Sequence, residues 1–131
     1  MSIWVCGEVL IDILPTGAVV GGGPANTAKA LARLGYEVDF IDGISTDAYG
    51  ESAKKELSRD GVGLALSHTS DKPTCTATVT LDSKGSASYE FLINGTATFD
   101  FNSSWLPDPE RLKPSVLHLS LIHISEPTRP Y

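Results

Sequence analysis

The chain has 131 residues, of which 41% are hydrophobic and 20% charged, with 16 acidic against 10 basic residues and a formal charge of −6. A chain of this length buries roughly two thirds of the surface it exposes when unfolded, so it needs neither metal nor disulfide staples, and its composition excludes global disorder. No Lys/Arg stripe is present, which excludes nucleic acid and anionic membrane as main partners, since both are bound through clustered cations.

Met1-Ser2-Ile3-Trp4 lacks a basic segment leading into an apolar one, and no apolar run approaches the roughly 18 residues of a membrane span, so a cytoplasmic protein is expected. Ile3 to Cys6 is continuously apolar, as in a parallel strand covered on both faces. Val9 to Leu14 continues extended with one carboxylate, Asp12, among five apolar residues, and Pro15-Thr16-Gly17 turns the chain. The run Gly21-Gly22-Gly23-Pro24-Ala25-Asn26 then empties into a helix, in which Ala28, Leu31 and Ala32 share a face, Lys29 and Arg33 lie on another, and Gly35 ends the pattern. Val38 to Ile41 is a second core strand. Asp47 can cap a second helix in which Tyr49, Ala53 and Leu57 share a side and Glu51 pairs with Lys55; Gly61 stops it. Strand, helix, strand, helix predicts a βαβ unit with a parallel sheet, an α/β fold.

The middle of the chain changes period. Cys75, Ala77, Val79 and Leu81 alternate with Thr76, Thr78 and Thr80, Asp82 to Gly85 supplies turn chemistry, and Ala87, Tyr89, Phe91 and Ile93 alternate again. An antiparallel hairpin alone is marginal, so it is expected to join the strand at Val9 to Leu14 in a small second sheet. Thr96 to Pro114 is a connection with a short helix around Glu110, and Val116-Leu117-His118 starts another core strand. Cys6 and Cys75 have neither CxxC spacing nor the density of a disulfide scaffold and read as buried thiols. Asn94-Gly95-Thr96 and Asn102-Ser103-Ser104 fit the glycosylation pattern by coincidence. Leu119 to Arg129 is similar to a translated sequencing-library adapter; it is set aside as non-native, with His123 and Glu126, leaving a domain at 1–118 and a tail at 119–131.

A glycine run feeding a helix N-terminus can approach an oxygen-rich ligand and aim backbone N–H groups at it. A dinucleotide site, as in an oxidoreductase, would want a third glycine where Asn26 stands and an acid about twenty positions on, which Asp42 roughly supplies; the first demand fails. A polyol instead wants one carboxylate, one carboxamide and free backbone amides. Asp12, Asn26 and Gly21 to Gly23 are those groups. An isolated carboxylate in an apolar strand is costly unless something pairs with it, whereas Asn26 also reads as an ordinary helix cap.

Gly7-Glu8-Val9-Leu10-Ile11-Asp12, Gly21 to Ala28 with Gly35, and Asp42 to Gly50 resemble the PfkB carbohydrate kinases, fructokinase-like members in particular, and the hairpin ending Tyr89 to Ala97 is similar to that family's lid. The resemblance implies a ribokinase-like Rossmann-type sheet with a β lid drawn from about 8–20 and 74–97, and transfer of the γ-phosphoryl of ATP to a sugar hydroxyl with Mg²⁺. Carried over, Asp12 would bind neighbouring sugar hydroxyls, Gly21, Gly22 and Gly23 would leave room for backbone contacts, Asn26 would bond another hydroxyl, and Tyr89, Phe91 and Asn94 would close over the sugar. Gly23 stands where ribokinases commonly carry Lys, and Ile93 where many fructokinase-like members carry Arg. Asp47 and Gly50 are assigned to structure. The Gly-Ala-Gly-Asp run from which the family draws its general base does not occur in the sequence, so no catalytic residue is assigned, and ATP and Mg²⁺ are expected only in a full-length protein. A rival reading makes the lid a homodimer contact, favoured if Tyr89 and Phe91 face away from the Gly21 to Asn26 loop.

Overall fold

The computed structural model describes residues 2–100 and 102–119. In chain order these form β1 (Ser2–Cys6), β2 (Leu10–Leu14), β3 (Gly17–Gly21), α1 (Gly23–Arg33), β4 (Glu37–Ile41), β5 (Gly43–Ser45), α2 (Ala48–Arg59), β6 (His68–Ser70), β7 (Thr76–Leu81), β8 (Ala87–Leu92), α3 (Pro109–Leu112) and β9 (Val116–Leu119), with a 3-10 turn at Ser103–Trp105.

The apolar run of β1 lies between β4 and β9, parallel to both, and Ile3, Trp4 and Val5 are buried. Ile3 and Val5 of β1 and Val38 and Phe40 of β4 join Ala25 and Ala28 of α1 and Ala53 and Leu57 of α2 in the main core. Gly22 caps α1 with φ 103°, and a Cβ there would stand 2.7 Å from the Glu8 carbonyl oxygen, so both backbone conformation and space call for glycine. Lys29 and Arg33 cross to α2: Lys29 Nζ lies 3.0 Å from Glu56 and Arg33 donates twice to Asp60, at 2.8 and 2.9 Å.

Asp47 caps α2 by accepting the Gly50 N–H at 2.7 Å. Tyr49, expected beside Ala53 and Leu57, is exposed; Gly50, three residues before Ala53, takes the buried place instead. Glu51 pairs with Lys54 at 3.4 Å and not with Lys55, since positions three and four apart both neighbour it on the helix surface.

The second sheet has the order β3-β2-β7-β8, with β2 antiparallel to β3, β2 parallel to β7, and β7 antiparallel to β8. The hairpin therefore joins the strand holding Asp12, as expected, but Gly17 to Gly21 is a strand rather than a turn leading to a glycine run. Ala18-Val19-Val20 stays extended against β2 once Pro15 and Thr16 have reversed the chain. The short parallel pair β5 and β6 was not anticipated. Cys75 is buried, whereas Cys6 is only half-buried; both are free thiols. The expected core strand β9 pairs with β1, but its Leu117 and Leu119 are 54% and 51% exposed. His123, Glu126 and the rest of 120–131 lie outside the described residues.

Candidate sugar-binding site

In β2, Asp12 is the polar member of Leu-Ile-Asp-Ile-Leu, and its direct partners are Val19 of β3 and Ala77 of β7. Ala77 pairs in turn with Phe91. Residues opposite one another across a sheet project to the same face, so Val19, Asp12, Ala77 and Phe91 form one row. On the same face, Leu10 and Gly21 lie two positions from this row in one direction, and Val79 and Tyr89 two positions from it in the other. The rings of Tyr89 and Phe91 lie 6.2 Å apart, 17° from parallel. At its base this face packs into a second apolar cluster of Leu10, Cys75 and Ala77 with Ile93 and Phe99, and a shallow recess opens there beside Glu8 and Phe91.

Gly21 meets Asp12 directly. A Cβ built on Gly21 would overlap the Asp12 Oδ2. The carboxylate is therefore held over the backbone of the glycine segment, which leads through Gly22 and an exposed Gly23 into the first turn of α1. In that turn Pro24 has no N–H and Ala25 is buried, which leaves the N–H of the exposed Gly23 as the donor without an intrahelical acceptor. Because Gly22 is the cap, Asn26 is not; its N–H bonds the Gly22 carbonyl at 2.9 Å, and the residue is exposed. Asn94 is exposed in the turn that follows β8, where the Thr96 N–H bonds the Ile93 carbonyl at 3.2 Å. Tyr89 and Phe91 are 63% and 47% exposed and share the face of Asp12 and Gly21.

Asp42 does not fit a ribose-binding role. It is buried, its Oδ2 accepts the Val9 N–H and the Thr98 hydroxyl, each at 3.0 Å, and burial pushes its carboxyl well above the ordinary range. Burial likewise raises both thiols, that of Cys75 to about 11, with the Asp42 charge adding to each. Sequence reasoning also missed a second task of Asp47: besides capping α2 it accepts the Thr74 N–H at 2.9 Å and the Thr74 hydroxyl at 2.6 Å. Burial alone would raise Asp47, but bonds from Thr74, Gly50 and Ser45 outweigh it and hold the carboxyl below its usual value.

Among the described residues no group of three or more His, Cys, Asp or Glu could hold a metal ion, and no helix is long and apolar enough to cross a membrane.

A fructokinase of Klebsiella pneumoniae is 32% identical over 139 residues, an alignment that takes in 98% of this chain and 43% of that protein. The crystal structure of a fructokinase with bound ATP from Xylella fastidiosa superposes with a TM-score of 0.82 at 29% identity, over 90% of this chain and 38% of that one. A fructokinase from Vibrio cholerae O395, solved in a fructose-, ADP- and calcium-bound form, gives a TM-score of 0.70 at 26% identity, over 82% and 37%. The chain thus spans well under half the length of these proteins. The model for the pfkB family carbohydrate kinases matches residues 15–128, a span that runs into the segment set aside above, and the chain belongs to that family.

Proposed function

We propose that this chain is the sugar-recognising part of an ATP-dependent sugar kinase of the fructokinase type, which phosphorylates a sugar hydroxyl. The observation that carries the reading is the position of Asp12, fitted against Gly21 on the sheet face that also bears Phe91 and Tyr89. A carboxylate can accept from two neighbouring hydroxyls of one sugar, and hydrogen bonds to a charged group are roughly twice as strong as neutral ones. The stacked aromatic pair offers an apolar surface to the C–H face of the ring. Gly22 and Gly23 bring the backbone close, while Asn26 and Asn94 supply carboxamides that both donate and accept.

ATP would supply the phosphoryl group and Mg²⁺ would neutralise its charge. Among the described residues no group of three or more His, Cys, Asp or Glu could hold the metal, and the roles read for Asp12, Asn26, Tyr89, Phe91 and Asn94 concern the sugar. The shared face of Asp12, Tyr89 and Phe91 supports sugar closure over a homodimer contact, and the buried, doubly bonded Asp42 speaks against a nicotinamide nucleotide. Isothermal titration of the 131-residue chain with D-fructose and with NAD tests the reading. Heat is expected from fructose and none from NAD, and Asp12→Ala should weaken fructose binding by about ten- to a hundredfold, the worth of hydrogen bonds to a charged group. Unchanged fructose affinity in Asp12→Ala would sink the proposal.

A further inference from the structure

The lid sheet joins the α/β core through four stretches of backbone, around 7–9, 22, 71–75 and 93–98. The first and the last of these end on the same side chain. Asp42, which follows β4, accepts from Val9 just before β2 and from Thr98 beyond β8, residues 33 and 56 positions away from it in sequence. The backbone around it is fixed as well: the Asp42 carbonyl accepts the His68 N–H at 2.8 Å, and the Ile41 carbonyl accepts the Gly7 N–H at 3.3 Å. An apolar side chain at position 42 would pack without the cost of burying a carboxylate, so a carboxylate with this set of bonds points to a task beyond packing.

We propose that Asp42 is a positioning residue that fastens both ends of the lid sheet to the tip of β4 and thereby sets where the Asp12 carboxylate stands over the glycine segment. The chain from Val9 runs straight into β2, and a short paired strand carries a displacement at Val9 to Asp12 three residues on. At the other end, the chain from Thr98 leads back through the Ile93–Thr96 turn to Phe91. The third stretch is tied in the same manner, Thr74 to Asp47. The lid is thus held at its base by polar groups of the core's strand ends, and the consequence for sugar binding rests on the function proposed above.

Hydrogen exchange of the whole 131-residue chain, read peptide by peptide, tests the clamp in Asp42→Ala, Asp42→Asn and Thr98→Val. In Asp42→Ala, amides of β2, β7 and β8 should exchange about tenfold faster while those of α1, α2 and β4 keep their rates; Thr98→Val should show the same pattern, about threefold. Asp42→Asn keeps an acceptor oxygen and should restore both the exchange pattern and the fructose affinity, which Asp42→Ala lowers about tenfold. Unchanged lid exchange, acceleration shared equally by lid and core, or Asp42→Asn behaving like Asp42→Ala would each overturn the proposal. Should Asp42→Ala fail to fold, Thr98→Val decides by the same pattern. Should the unaltered chain bind no sugar, the sugar reading fails while the exchange pattern still judges the clamp.

Discussion

At the scale of single residues, Asp12 and Gly21 act as one unit. Gly21→Ala puts a methyl group where the Asp12 Oδ2 lies, and the carboxylate must swing off the glycine segment. Fructose affinity is expected to fall about tenfold, with a stability cost of about 1–3 kcal/mol from overpacking, and titration together with urea unfolding would check both. Asp42 makes a prediction about pH. Burial, with the neighbouring Glu8 charge, raises its carboxyl well above the ordinary 3.8, against the pull of bonds from Val9, Thr98 and Gly43. A folded acid with a raised value holds its proton more tightly than the unfolded chain does. Its contribution to stability is therefore complete below pH 3.8 and is lost as pH rises through the window up to the raised value. The urea midpoint of the unaltered chain should decline as pH rises above 3.8 toward the raised value, and Asp42→Asn, which removes the titration, should flatten that decline. An unchanged slope in Asp42→Asn would show that Asp42 does not titrate there.

Among the elements, α2 and the approach to β7 share Asp47, so its loss reaches further than a helix end. Removing a capping side chain costs about 1 kcal/mol, and a buried N–H left without an acceptor, here that of Thr74, adds about 1–3 kcal/mol. Asp47→Ala should thus lower unfolding free energy by about 2–4 kcal/mol, whereas Asp47→Ser, which keeps a cap but is too short for Thr74, should recover only the smaller part; denaturant titration of both separates them. The capping role was legible because Asp47 precedes a helical pattern, and the β7–β8 hairpin because residues 75–81 and, Leu92 apart, 87–93 alternate at a period of two. β3 was hidden by the glycines at its two ends and by an apolar run of only Ala18-Val19-Val20, and β5 and β6 are too short to show any period. In the site, Asp12 stood out as a carboxylate inside an apolar strand. Asp42 directly follows its strand, where a carboxylate ordinarily faces water, and its partners lie 33 and 56 positions away, a distance that no local pattern encodes.

For the whole molecule, binding and turnover make separate demands. Phosphoryl transfer needs a group to take the hydroxyl proton and donors or a metal to meet the transferring charge. In the family these depend on a Gly-Ala-Gly-Asp run, which the 131 residues do not contain, and the chain covers 43% of a fructokinase relative. Among the described residues β9 is paired on β1, yet its Leu117 and Leu119 stay about half exposed, while α1 and α2 pack on the main core. The expected result of a coupled ADP-release assay with ATP, Mg²⁺ and fructose is therefore no sugar-dependent turnover by this chain, under conditions where titration still detects fructose. Sugar-dependent ADP release would mean that a carboxylate among these residues takes the proton. Asp12→Asn would then be the deciding variant, because it keeps the shape and one acceptor oxygen of the sugar contact while removing the base: turnover abolished, against a fall in affinity no larger than that of Asp12→Ala, would move Asp12 from recognition to catalysis.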